Sequence, residues 1–516
     1  MDEYKYISDK FGVSVADGHN STPLSVYKTI VGYSGEAPVG EPSPELREEY
    51  NGLERICKSE AAVVYYTKYQ FDDSVKLEIT MPSGIEFVNI KPESAGGKVR
   101  FADGKLTAET DETLYFVIQP NGALYGTLSV FLDKSRERVP NKKNVLRFTE
   151  GVYTYENCEY IRRDEHGNSV IDCIGDDTLV YVGKDAVVNA SIELRGVKNV
   201  EIAGMGIIST VDRCIGGDEN FVKDKYWGLF RYYAKPNILV RSGCENIVIR
   251  GVVLDCEFRG VVIRNSKAIR IENVKIFASP ENADGINCYN TSELYVDGCF
   301  INSKDDCFCM YNSCDSIPTL FDEGFEVKEA VCRDVEFKNC ILMTVCRPFV
   351  FGGHATGATE PRCLIENLHI HDCEIIETPV HLHGYDEKFS YYWTAVMRVL
   401  AQSEQIVRNI TFENINVNVT KGYNGKLFHL HVRDGNEASY TESRGYAIEN
   451  IMFKNIRFAG DTSTLYPSII KCRVPEGADD HPHVSGVVFD NVTVGERAVF
   501  LADFRIEGDV SALKLI

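Results

Sequence analysis

The chain has 516 residues, 44% of them hydrophobic and 25% charged, which excludes a disordered or collagen-like polymer and allows two or more buried cores. Acidic residues outnumber basic ones, 76 against 55, which argues against nucleic acid or an anionic membrane surface as the main partner. No apolar run approaches the ~18 residues of a membrane span, and Met1-Asp-Glu-Tyr-Lys-Tyr6 lacks the basic-then-apolar grammar of a leader.

A soluble cytoplasmic protein is therefore expected. Seventeen cysteines, an odd number spread from Cys57 to Cys472 and often set in apolar strands, fit free buried thiols in a reducing compartment better than a disulfide framework.

From about Ala61 to Lys134 the hydrophobic period is two: Val75, Leu77 and Ile79, then Val99 and Phe101, an Asp103-Gly104 turn, and Leu106 and Ala108. This predicts hairpins and a small antiparallel β-sandwich. The polar run from Asp133 to Lys143 contains Pro140, which cannot continue a central strand. The expected domains are thus a sandwich over 1–140 and a second domain over 141–516.

In the second domain a six-residue phrase recurs nine times: Asn199–Gly204, Asn246–Gly251, Ala268–Asn273, Glu293–Gly298, Asp334–Asn339, Asn367–Asp372, Asn409–Asn414, Asn450–Asn455 and Gly486–Asn491. Its form is x-aliphatic-x-aliphatic or aromatic-x-Asn, Gly or Asp. Successive phrases end between 22 and 47 residues apart, and the shortest spacings cannot hold a four-stranded propeller blade. A leucine-rich repeat would need Leu-x-Leu-x-x-Asn and a helical return, whereas these segments are β-branched strands and turns. A right-handed parallel β-helix with long insertions in several coils is predicted.

Three consecutive coils share a second phrase, Arg259-Gly-Val-Val-Ile-Arg-Asn265, Asp284-Gly-Ile-Asn-Cys-Tyr-Asn290 and Asp306-Cys-Phe-Cys-Met-Tyr-Asn312. If the asparagines stack in a turn ladder, Arg259, Asp284 and Asp306 stack too, about 4.8 Å apart per rung. Asp305 would project from the same strand start. Three carboxylates on one strip raise one another's pKa, a cost that capping a turn does not require. Glycosidic hydrolysis supplies a reason for it: a protonated acid for the leaving oxygen and a carboxylate opposite to activate water.

Asn282-Ala-Asp284-Gly-Ile and Ser303-Lys-Asp305-Asp306-Cys resemble the Asn-Thr-Asp-Gly and Gly-Asp-Asp-Cys motifs of the polygalacturonase family of glycoside hydrolases, family 28, and of its clan relatives, the dextranase and isopullulanase family 49. Val182–Arg195, leading into Val200–Ile208, is similar to the first coils of those enzymes, and the N-terminal sandwich with Ile90-Lys-Pro-Glu-Ser94 is similar to the extra domain of dextranase-type members. The resemblance implies a pectin-lyase-like solenoid acting as an inverting glycosidase, with Asp305 as general acid, Asp284 and Asp306 as the base pair, and no cofactor or metal. It implies an oligo- or polysaccharide as the partner.

The chain also departs from that family. The family's Gly-His-Gly falls where the register puts Arg347, and His354 in Gly352-Gly-His lies at the far end of that strand. The Arg-Ile-Lys that grips galacturonate is missing, although His429-Leu-His431-Val-Arg433 puts three polar groups on one strand face. Expected substrate contacts are Arg259, Arg347, His354, His383, His431 and Arg433, with Trp227 and Trp393, the only tryptophans, as stacking platforms in aromatic insertions.

Eight of eleven histidines form His-x-His pairs, 369/371, 381/383, 429/431 and 481/483. They are expected to pack or to contact sugar rather than hold zinc, because no Cys or Glu completes a ligand spacing. Cys307-Phe-Cys309 with Cys288 and Cys299 is expected to be a buried thiol stack. Two alternatives stay open: a calcium-dependent polysaccharide lyase with an arginine base, and a non-catalytic β-helix that grips glycans. Sugar, linkage and oligomeric state are left open.

Overall fold

The computed structural model describes residues 7–17, 20–30, 63–123, 126–135, 142–210, 234–278, 283–312, 325, 327, 330–344, 346–353, 363–378, 395–402, 404–419, 425–433, 445–460, 462, 465–472, 474 and 481–516. The chain divides into two compact units, one within residues 1–141 and one from Lys142 to Ile516.

The first unit is a nine-stranded sheet in the order Val88–Lys91, Leu114–Pro120, Leu128–Lys134, Val63–Phe71, Asn20–Ile30, Ile7–Asp17, Val75–Thr80, Lys105–Thr110, Val99–Ala102. All neighbours are antiparallel except Val63–Phe71 with Leu128–Lys134. The 3-10 turn Glu93–Lys98 touches strands from both ends of that order, so the sheet curls over one core of Val75, Leu77, Ile79, Leu106, Phe116 and Val130. The Asp103-Gly104 turn has both residues in the left-handed region, and the hairpin pairs Val99 with Ala108. Residues 7–30 add two strands that the alternation after Ala61 does not announce. Pro23 and the polar Asn20-Ser-Thr22 beside it mask the second of them.

The second unit is an all-β, right-handed parallel β-helix. One strand per coil builds a 12-stranded sheet; the other strands build a 19-stranded sheet that begins as two strips. The strips merge at Leu364–Glu377, a 14-residue strand that continues both Val331–Lys338 and Ile341–Thr344. Strands Ile406–Val417, Ala447–Phe458 and His483–Val494 then stack on it in register.

Backbone geometry accounts for the nine-fold phrase. Its first residue, from Asn199 to Gly486, and its last, from Gly204 to Asn491, have positive φ in all nine copies. Asn, Asp and Gly tolerate that region best, and Ala268 and Glu293 are the two other types placed there. The asparagines also hydrogen-bond between coils: Asn409 Nδ2 to Asn367 Oδ1 at 3.2 Å, Asn414 to Asp372 at 2.9 Å, Asn455 to Asn414 at 2.9 Å and Asn491 to Asn455 at 2.8 Å.

Between those turns the two aliphatic positions point inward. They form columns such as Ile247, Ile269 and Leu294, which are replaced toward the C-terminus by stacked rings, Phe412 to Phe453 at 5.2 Å and Phe453 to Phe489 at 4.9 Å. All fourteen described cysteines are free, and twelve are buried.

Candidate active site

The candidate residues lie along the 12-stranded sheet. Its pairings join Val261 to Ile286, Ile286 to Phe308 and Phe308 to Phe349. Residues 259, 284, 306 and 347 therefore lie in one row, and the backbone bonds Gly260 N–H to Asp284 O, Gly285 N–H to Asp306 O and Cys307 N–H to Arg347 O follow the same register. Arg259, Asp284 and Asp306 thus stack as the shared phrase predicts, with Arg347 on the next rung.

The asparagine ladder beside them is shorter than expected. Asn290 donates to Asn265 at 2.9 Å, but Asn312 turns to the carbonyls of Ala330 and Leu364 and accepts from Gln405. Glycine follows Arg259 and Asp284 because there is no room for a side chain. A Cβ on Gly285 would meet Ile301 Cγ2 at 2.4 Å and Cys307 O at 2.5 Å.

The acids are more deeply set than an open cleft would have them. Asp284 is 5% and Asp306 2% exposed, whereas the Asp305 side chain keeps 26% of its surface. Asp284 Oδ2 accepts from Asn287 Nδ2 at 2.5 Å and faces Arg259 Nε at 3.1 Å. Asp306 is gripped by Arg347, Nε to Oδ1 at 2.6 Å and a terminal nitrogen to Oδ2 at 2.9 Å, and accepts from the Tyr311 hydroxyl at 3.2 Å.

Asp305 stands just outside the row. Its main-chain carbonyl accepts from Ser303 and Thr344, its carboxylate accepts from the Asp306 N–H at 3.0 Å, and Arg347 approaches it at 3.7 Å. One guanidinium thereby contacts both acids of the pair.

Burial is the largest influence on the row. It pushes Asp284 up to about 8, assisted by Asp305 and Asp306 and opposed by Arg259. It pushes Asp306 up to about 6, opposed chiefly by Arg347, with Asp305 adding to the rise. Neighbouring acids thus titrate in different ranges, the condition for dividing acid and base work between similar groups.

Among the described residues one grouping offers ligand atoms to a metal within 4.8 Å of one another: Asp305, Asp306 and Cys346. Both Asp306 oxygens face Arg347, and burial holds the Cys346 thiol well above its usual range, so this trio is a poor cation cage. Of the two arginines flanking the acids, Arg347 is engaged with Asp306, and Arg259 faces Asp284 and donates to the Tyr289 hydroxyl at 2.9 Å.

Downstream coils set basic groups on the same sheet. Arg398 pairs in register with His429, and Leu400 with His431; all but Leu400 are polar groups buried in the wall. The rings of His429 and His431 stack at 5.6 Å, Arg433 donates to Gln402 at 3.0 Å, and Lys426 begins the same strand. Burial, then Arg398, brings Lys426 down to about 7, and burial holds His429 well below its usual value.

Arg398 and Lys426 were not anticipated. Arg398 interrupts an otherwise apolar strand, Ala395–Ala401, a signal that was available; Lys426 had none beyond its place before Leu427-Phe428. Trp227, His354, His383 and Trp393 lie outside the described residues.

The cysteine expectation needs one correction. Cys288, Cys299 and Cys307 are in the solenoid core, but Cys309 is on the other side of the wall with Tyr289, Tyr311 and Val350, where it accepts from Asn287 at 3.0 Å. The strand proper starts at Phe308, so Cys307 belongs to the bend and the two thiols do not share a face. The His369 and His371 rings stack at 4.1 Å and meet Glu413 and Glu336, and His483 meets Glu449; these rings are held by packing and by contacts to carboxylates.

Residues 167–319 match the model of glycosyl hydrolases family 28, a stretch that contains all three aspartates. Similar solved structures include Dex49A from Penicillium minioluteum, with 14% identity, 98% of this chain and 94% of that chain covered, and TM-score 0.58. They also include a family 28 exopolygalacturonase from Yersinia enterocolitica (12%, 86% and 96%, TM-score 0.46) and a polygalacturonase from Erwinia carotovora ssp. carotovora (13%, 72% and 98%, TM-score 0.41). No curated protein matches the chain. Dex49A establishes the likeness of fold. The family match supports glycoside hydrolase activity and bears out the resemblance to polygalacturonase-like glycoside hydrolases.

Proposed function

We propose that the chain hydrolyses O-glycosidic bonds in an oligo- or polysaccharide by single displacement with inversion. Asp305, the acid with solvent access, protonates the leaving oxygen. Asp284 and Asp306 hold and activate the water that attacks the anomeric carbon. The observation that carries this is the row itself: two stacked carboxylates with a third beside them, all within the segment that matches family 28.

Arg347 joins Asp305 to Asp306, and Asn287 and Arg259 orient Asp284. In this reading Arg398, one coil on from Arg347, and His431 and Arg433, two coils on, contact sugar beyond the scissile bond, which their position as basic groups on the same sheet supports. The test is incubation with a panel of neutral and uronic oligosaccharides, with and without chelator. Products gaining one water and indifferent to chelator support hydrolysis, unsaturated products lost with chelator support a lyase, and no product from any glycan supports a binding module.

A further inference from the structure

The acid row ends in an arginine on both sides, and the two contacts differ. Arg259 meets Asp284 through Nε and gives one terminal nitrogen to Tyr289. Arg347 lays its planar fork on Asp306, one nitrogen to each carboxylate oxygen, and Tyr311 donates a third hydrogen bond to Oδ2. An ionised carboxylate accepts at about four sites, so among the described residues Asp306 keeps one open acceptor site, on Oδ1. Asp284 has Oδ2 engaged by Asn287, while Oδ1 takes no hydrogen bond among the described residues.

We propose that Arg347 is a positioning residue for the hydrolysis proposed above, on which this inference rests: its fork fixes Asp306 as the ionised member of the Asp284–Asp306 pair and leaves Oδ1 as the seat for the proton of the attacking water. Asp284 carries the pair's proton on its open oxygen and serves as a hydrogen-bonding partner. In the step, the water oxygen bonds to the anomeric carbon as the glycosidic C–O bond breaks. Its proton passes to Asp306 Oδ1, and the proton of Asp305 passes to the leaving oxygen.

The described groups that act electrostatically on Asp306 fit this division. Asp305, Cys307, Cys309 and Tyr311 come from its own coil, Asp284 from the preceding one, Cys346 and Arg347 from the next and Arg398 from the one beyond. Arg347 opposes the effect of burial most strongly, with Arg398 a lesser cation. Asp284, facing Arg259, Asp305, Asp306 and Asn287, rises to about 8, against about 6 for Asp306.

The experiment compares full-length wild type, Arg347→Gln and Arg347→Lys on an oligosaccharide that the wild type cleaves, with KM and kcat/KM followed against pH. Loss of the guanidinium should move the acidic limb of kcat/KM upward by about one pH unit or more. Lysine, a charge without a fork, should return only part of the shift. An unmoved limb with raised KM would overturn the proposal and make Arg347 a substrate contact only; full restoration by lysine would overturn the role of the fork. If Arg347→Gln does not fold, the Arg347→Lys limb decides alone.

If the wild type cleaves nothing, the hydrolase assignment has failed separately, and melts of Arg347→Gln, Asp306→Asn and the double variant from pH 5 to 8 still test the pairing. A coupling that grows with pH as Asp306 ionises is expected. A coupling indifferent to pH would contradict it.

Discussion

Replacing Asp284 with asparagine should make the solenoid's stability less dependent on pH. A carboxyl that titrates near 3.8 in the unfolded chain and about 8 in the fold binds more protons folded than unfolded throughout that window. Stability therefore falls as pH rises from about 4 to about 8 and is unpenalised below 3.8. Each pH unit in the window is worth up to about 1.4 kcal/mol, so between pH 5 and pH 8 the wild type should lose up to about 4 kcal/mol that Asp284→Asn does not lose. The variant also deprives Arg259 of a carboxylate at 3.1 Å. Arginine does not titrate in this range, so that loss offsets the curve without tilting it. The assay is urea unfolding of both proteins at pH 5, 6, 7 and 8, the change in their difference being the quantity read. Parallel curves would refute the account of a buried, proton-retaining Asp284.

Asp305→Asn should cost roughly 10²–10⁴ in kcat with the melting temperature nearly unchanged, since its side chain is partly exposed; retained turnover would remove it as the acid. Gly285→Ala, whose Cβ would lie 2.5 Å from Cys307 O, should destabilise by about 1–3 kcal/mol and lower activity by shifting Asp284 against Asp306, read by melting and kinetics together. Asn414→Ala loses bonds to Asp372 and Asn455 at a positive-φ position and should cost about 1–2 kcal/mol without altering kcat, with Asn414→Gly less damaging. Lys426→Met removes a cation that burial brings down to about 7. It should stabilise the solenoid increasingly as pH falls from about 10.5 to about 7, the window in which the unfolded lysine is charged and the folded one is not, and by a constant amount below that, read by urea unfolding of both proteins from pH 7 to pH 10.

Much of this was legible because a solenoid writes its register into local grammar. The nine-fold phrase marks positions where the backbone turns left-handed, and Asn or Gly is the chemical signature of that turn. The stack of Arg259, Asp284 and Asp306 followed because Asn265 and Asn290 close their coils alike. The signal faded where insertions lengthened the coils: 41 residues separate Phe308 from its partner Phe349, and 48 separate Phe349 from Met397. No shared phrase spans those gaps, and Arg398 and Lys426 went unplaced. Depth was not legible either, because period two shows which face a side chain takes but not what covers that face. The burial of Asp284 and Asp306 is accordingly a property that the spacing of their phrases does not announce. Cys309 was misplaced for a related reason, since alternation begins only at Phe308.

The central claim is that water adds across a glycosidic bond with inversion, the proton coming from Asp305. It is tested most directly by proton NMR of the first product formed from an oligosaccharide that the wild type cleaves, with Asp305→Asn as control. The account predicts a reducing end of anomeric configuration opposite to the bond cleaved, appearing before mutarotation and absent with Asp305→Asn. A product that keeps the original configuration, an unsaturated product, or undiminished cleavage by Asp305→Asn would contradict it.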